Sequence, residues 1–182
     1  MRSKVLVTLF GITLTLVVFL PSEHRLGDVY KLIYFHVPIS IVTISTILLF
    51  PLFHARFASR VMALSVTTTV YALVHLILSA VFMYAAWSGV IFSEPKFVFS
   101  SVLLIFALSH TLLCFVDRKL AKYYSFLSLI VVPYFYMQAT LASFQLHPRG
   151  VEMPAILYLP YLFSAPMIVL LYVEISERLK AR

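Results

Sequence analysis

Apolar and polar positions fall into long blocks along this chain rather than into short alternations. Runs rich in Leu, Val, Ile and Phe cover residues 5–20, 30–53, 60–87, 97–116, 123–144 and 153–175. Crossing about 30 Å of hydrocarbon takes near 20 residues at 1.5 Å per residue, so the runs predict six membrane-spanning helices. The first follows Arg2 and Lys4 and so has the shape of a secretory signal. Leu20-Pro21-Ser22-Glu23-His24 offers no small-x-small cleavage site, however, and the run is expected to be retained as a span. No internal repeat, soluble domain or long linker interrupts the pattern. The expected fold class is therefore an all-α membrane protein forming a single polytopic domain over 1–182.

Composition points the same way. The chain is 62% hydrophobic and 12% charged, against roughly 45–50% and about 25% in soluble domains. One cysteine, Cys114, excludes an intrachain disulfide and any multi-cysteine metal or iron–sulfur site. The net charge of +7 does not mark a nucleic-acid surface, because the basic residues sit at helix ends instead of forming one patch. Arg2, Lys4, Arg56, Arg60, Arg118, Lys119, Lys122, Arg178, Lys180 and Arg182 fall on one side of the six spans. Arg25, Lys31, Lys96 and Arg149 fall on the other. The side richer in Lys and Arg faces the cytoplasm. Both termini are then inside, and the outer loops are 21–29, 88–96 and 145–152.

Ionisable groups inside a membrane are rare and are functional candidates by default. Every acidic residue lies outside the six cores or at their edges, which argues against a carboxylate proton relay. The histidines carry the remaining chemistry. His36 falls about 9 Å into the second span from Tyr30, on a face continued by Ser40 and Thr43. Pro38 removes an amide that the carbonyl of Tyr34 would otherwise accept from, so the helix is expected to open beside the imidazole. Ligand and packing roles stand equal for His36 on spacing alone. His147 lies in an outer turn marked by Pro148 and Gly150, where a solvated role is the ordinary one. The two are nevertheless the histidines near the same membrane surface, and neutral imidazoles are good axial ligands for haem iron. Arg149 could pair with a haem propionate.

His75 and His110 form a competing intramembrane pair for a b-type haem. Their expected depths, about 22 Å and about 10 Å from the cytoplasmic face, differ by far more than the roughly 4 Å between two axial nitrogens. His75 shares a face with Thr68, Tyr71 and Ser79, which could satisfy it by hydrogen bonding. His24 and His54 read as solvated loop or interface residues. The stretch 87–97 is a short aromatic loop shaped by Gly89 and Pro95. It is either an anchoring belt or a platform for a flat apolar ligand, at the level of Tyr30, Tyr34 and Phe35.

The segment Gly27-Asp28-Val29-Tyr30-Lys31-Leu32-Ile33-Tyr34-Phe35-His36-Val37-Pro38 resembles the signature of the cytochrome c maturation protein C family of haem-handling membrane proteins. The loop 87–97 falls where that family carries a tryptophan-rich haem-binding segment, and Leu146-His147-Pro148 falls at its second outer histidine. Only Trp87 represents the tryptophans here, with Phe92 and Phe97 as alternative apolar surface. The resemblance implies a non-enzymatic protein of the prokaryotic inner membrane. It implies that haem b binds transiently between His36 and His147, with Trp87, Phe92, Phe97, Tyr34 and Arg149 in support. Haem would pass to an extracytoplasmic haem chaperone for c-type cytochrome assembly. The family's partners are the subunits of an ATP-binding-cassette transporter and a small single-span subunit. An electron carrier using His75 and His110, and a cofactor-free permease or scaffold, are the competing readings.

Overall fold

A computed structural model describes residues 2–22, 26–142 and 155–180. Among these residues the apolar runs become eight α-helices, with no extended strand. They are α1 (Arg2–Phe19), α2 (Ile33–Leu48), α3 (Phe50–Arg56), α4 (Val61–Trp87), α5 (Pro95–Val116), α6 (Arg118–Ser125), α7 (Ser128–Leu141) and α8 (Tyr161–Lys180). A 3-10 turn over Asp28–Leu32 leads into α2. Five of these segments are long and apolar enough to cross a bilayer, and α6 with α7 makes a sixth when the bent pair is taken as one span. The protein is an all-α membrane protein. Its outer surface carries the side chains that lipid requires: Phe19 is 83% exposed, Ile130 70% and Leu162 69%. In water such a surface would drive association.

Two runs expected to be continuous are divided. The run 30–53 ends its helix at Leu48, and the chain turns at Leu49 into α3, with Pro51 in the first turn of the new helix. The run 123–144 belongs to α6 and α7, which meet at a 42° bend. α6 starts earlier than expected because Asp117 caps it, its carboxylate accepting from the amides of Lys119 (2.7 Å) and Leu120 (3.2 Å). α5 is capped in the same manner, with the Glu94 carboxylate accepting from the Phe97 amide at 2.7 Å and Pro95 in the first turn. α4 ends at Ser88, which takes the left-handed conformation at φ 58°. This is a helix-ending geometry more often given to glycine.

α4 and α5 pack along much of their length, with α2 and α8 against α4 and α7 against α5. Ala72 and Ala107 are fully buried in the central cluster, beside Ile47, Leu103, Phe106 and Val132. Small residues there let the helices approach closely, which matters where lipid supplies no hydrophobic drive between helices. The intramembrane hydroxyls are mostly satisfied by their own helices. Thr43, Thr67, Thr68, Ser79 and Ser100 each donate to the carbonyl four residues back.

Contacts fix which helix ends lie together. Arg60 at the start of α4 pairs with Glu177 near the end of α8 at 2.9 Å. Leu6 and Leu9 of α1 pack on the cluster holding Tyr172 and Ile175 of α8. At the opposite end, Lys31 donates to the carbonyl of Val18 at 3.3 Å. The described chain ends therefore share one side of the bundle, together with Arg56, Arg118, Lys119 and Lys122. The other side carries Lys31 and Lys96.

Candidate functional site

His36 stands near the start of α2 because the 3-10 turn delivers the chain into the helix only three residues earlier. The helix continues through Pro38 without opening, so the expected break beside the imidazole does not form. Thr43 accordingly bonds within its own helix, donating to Ile39 at 2.8 Å. What lies beside His36 is His75 of α4. Their rings stack with centroids 4.6 Å apart and planes 16° apart.

Both imidazoles border a cavity of about 420 Å³ enclosed by α2, α4, α5 and α7, a size usual for small-molecule sites. Ile33, Val37, Phe82, Phe99 and Tyr136 make most of its wall apolar, Ser40, Ser79 and Ser100 add hydroxyls, and Lys96 brings one cation. His75 is 3% exposed and its Nδ1 has no hydrogen-bond partner. The three neighbours expected to satisfy it are engaged elsewhere. Thr68 meets the Tyr172 hydroxyl at 2.9 Å, Tyr71 donates to the Ile168 carbonyl, and the Ser79 hydroxyl donates to the backbone carbonyl of His75, not to its ring. Buried polar groups are nearly always paired, so an exception bordering a cavity is a candidate position for a water or ligand contact.

Phe82 and Phe99 were not among the residues expected from sequence, although His75, Ser79 and Phe82 follow helical i, i+4, i+7 spacing. The expected aromatic support is arranged differently. Tyr34 is buried edge-on between Tyr30 and Tyr161, with centroids 6.0 and 5.0 Å away. Trp87 packs on Phe82 at 5.6 Å, and Phe97 is buried against Phe92 at 5.8 Å. Tyr34, Trp87, Phe92 and Phe97 do not line the cavity. Phe92 points outward, 75% exposed. His24, His147 and Arg149 lie outside the described residues.

The structure does not bring His75 and His110 together. The Ser65 hydroxyl meets His110 Nδ1 at 2.8 Å, and Ser65 lies ten residues before His75 on α4, about 15 Å along the axis. His110 instead meets His54 of α3, Nε2 to Nε2, at 3.0 Å. It stacks on Phe50 at 4.0 Å and has the Cys114 sulfur 3.9 Å from its Nδ1. His54, expected to be a solvated loop or interface residue, is half-buried. Burial, then the charge of Lys122, holds its pKa below the usual histidine value.

The hydroxyls beside His110 assign its tautomer. Thr69 donates its one proton to the Ser65 carbonyl (3.1 Å), so it must accept from Thr111 (2.9 Å). Thr111 must then accept from Ser65 (2.7 Å), and Ser65 must accept from His110 Nδ1–H. The lone pair of His110 is left on Nε2, aimed at His54.

No known family model matches the chain. No curated protein is significantly similar to it.

Proposed function

We propose that this chain binds haem at the extracytoplasmic end of its helical bundle and presents it to a haem chaperone for c-type cytochrome maturation, without itself catalysing a reaction. The observation that carries the reading is His36 on the wall of a largely apolar cavity, at the end of the bundle away from most basic residues. Nine described Lys and Arg side chains lie at the terminal end (Arg2, Lys4, Arg56, Arg60, Arg118, Lys119, Lys122, Arg178 and Lys180), against Lys31 and Lys96 at the other. By the positive-inside rule the cavity end is extracytoplasmic, and the resemblance implies a prokaryotic inner membrane.

The donor set suits haem as cargo. His36 offers an imidazole, the apolar walls suit a porphyrin edge, and Lys96 offers a cation to a propionate. His75 cannot be the second axial ligand as it stands. Axial imidazoles meet iron from opposite faces of the porphyrin, whereas rings stacked at 4.6 Å leave no room for a macrocycle between them. The second ligand therefore comes from outside this pair, and His147 is the histidine that the resemblance supplies. The same resemblance supplies the transporter subunits and the single-span subunit as partners.

The test is the absorption of the full chain purified with haem. A Soret band that weakens in both His36→Ala and His147→Ala supports the reading. Spectra unchanged in both variants refute it.

A further inference from the structure

The second histidine group lies at the opposite, basic end of the bundle and plays no part in the haem reading. His54, His110 and Cys114 bring one ligand atom each to within 4.8 Å of one another. They come from α3 and from successive turns of α5, since His110 and Cys114 are four residues apart. His110 is fully buried and Cys114 nearly so. We propose that these three residues form a binding site for a soft monovalent cation, Cu(I), separate from the His36 cavity.

Three observations carry it. The first is the tautomer of His110. Ser65 accepts a hydrogen bond from its Nδ1–H, which leaves the Nε2 lone pair facing His54 Nε2 at 3.0 Å. Metal-binding histidines are held in this way, with the far nitrogen donating to a fixed acceptor. The second is spacing. Two imidazoles on one ion, with metal–nitrogen bonds near 2.0 Å, stand about 3.3–3.5 Å apart, and a thiolate sulfur stands about 3.7 Å from each nitrogen. The two imidazole nitrogens, 3.0 Å apart, need a shift of about 0.5 Å, and the three ligand atoms already lie within 4.8 Å of one another.

The third observation selects the ion. The site is largely buried and offers one thiol beside two neutral imidazoles, so it can supply one negative charge. A thiolate with a monovalent ion is neutral overall, the arrangement least costly in a low-dielectric site. Sulfur donors favour Cu(I), and Met62 packs against the cluster that holds Cys114. Binding is balanced as Cys–SH plus Cu⁺ giving Cys–S–Cu plus H⁺, the proton leaving to solvent. Both imidazoles bind neutral, His54 carrying its proton on Nδ1, and no electron is transferred.

The experiment titrates the full chain, purified in detergent under anaerobic conditions, with Cu(I) against the chromogenic chelator bicinchoninate. The expected result is one equivalent withdrawn from the chelator per chain. Cys114→Ser and His54→Ala should each weaken binding at least about 100-fold, and Ser65→Ala about 10-fold. His36→Ala should bind like the unaltered chain, which separates this site from the haem site. His54 is only half-buried and Cys114→Ser is conservative, so neither variant depends on repacking the core. Failure of the unaltered chain to withdraw copper, or equal withdrawal by all variants, overturns the site. Zn(II) binding there more tightly than Cu(I) overturns the ion assigned.

Discussion

Replacing His75 with phenylalanine should make the ligand-free protein more stable while weakening the haem binding proposed above. His75 Nδ1 is buried without a hydrogen-bond partner, and an unsatisfied buried polar group costs about 1–3 kcal/mol. Phenylalanine keeps a flat ring to stack on His36 and removes that group. Its extra bulk would cost about 1–3 kcal/mol in a filled core, but His75 borders open volume of about 420 Å³ that can take it. The net expectation is a gain of about 1 kcal/mol, worth roughly 2–4 °C of melting temperature in a chain of this length. On the proposed haem reading, affinity should fall up to about 10-fold through loss of the one hydrogen bond that His75 Nδ1 could give a ligand in the cavity. Thermal unfolding in one fixed detergent, followed by circular dichroism, reads the first effect, and titration at the Soret band reads the second. A lower melting temperature with unchanged haem affinity would refute the reasoning, because His75 would then be an ordinary packing residue.

Two further outcomes test the frame around the sites. Glu94→Ala removes the buried cap of α5 at the Phe97 amide. It should cost about 1–2 kcal/mol, seen as a lower melting temperature, while Glu94→Asp recovers part of the loss; an unchanged value for the alanine variant would mean that the cap adds nothing. His54 has a folded-state pKa below its ordinary 6.5 because of burial and Lys122. The unfolded chain therefore binds the proton more readily, so stability is intact above about pH 6.5 and declines as pH falls below it. Melting temperatures across that range should show a shallower decline in His54→Gln than in the unaltered chain, and parallel curves would contradict the assignment.

The membrane fold is readable from the apolar runs, since lipid imposes length and composition so strongly. The divisions within them are less readable. Phe50, Leu52 and Phe53 extend the second run in hydropathy although they belong to α3, because an interfacial helix and a spanning one can share apolar composition. Pro51 was the available signal. His36 and Ser40 could be placed on one face from spacing alone, but the stacking of His36 on His75 depends on α2 lying beside α4, which no local pattern encodes. His54 read as a loop residue because it follows the apolar run, and only the turn at Leu49 brings it back against α5. The i, i+4 spacing of His110 and Cys114 was legible, whereas their third neighbour was not.

The packing of α1 bears on how the protein is made. Only Thr13 and Val17 of this helix are buried, and its principal neighbour is α8. Its main helix contact is thus with a helix made much later in the chain. Until α8 is inserted, α1 has only its contacts near Lys31, Tyr34, Ile39 and Tyr71 to hold it in the bundle. A chain cut short before Tyr161 would lack the main helix partner of α1.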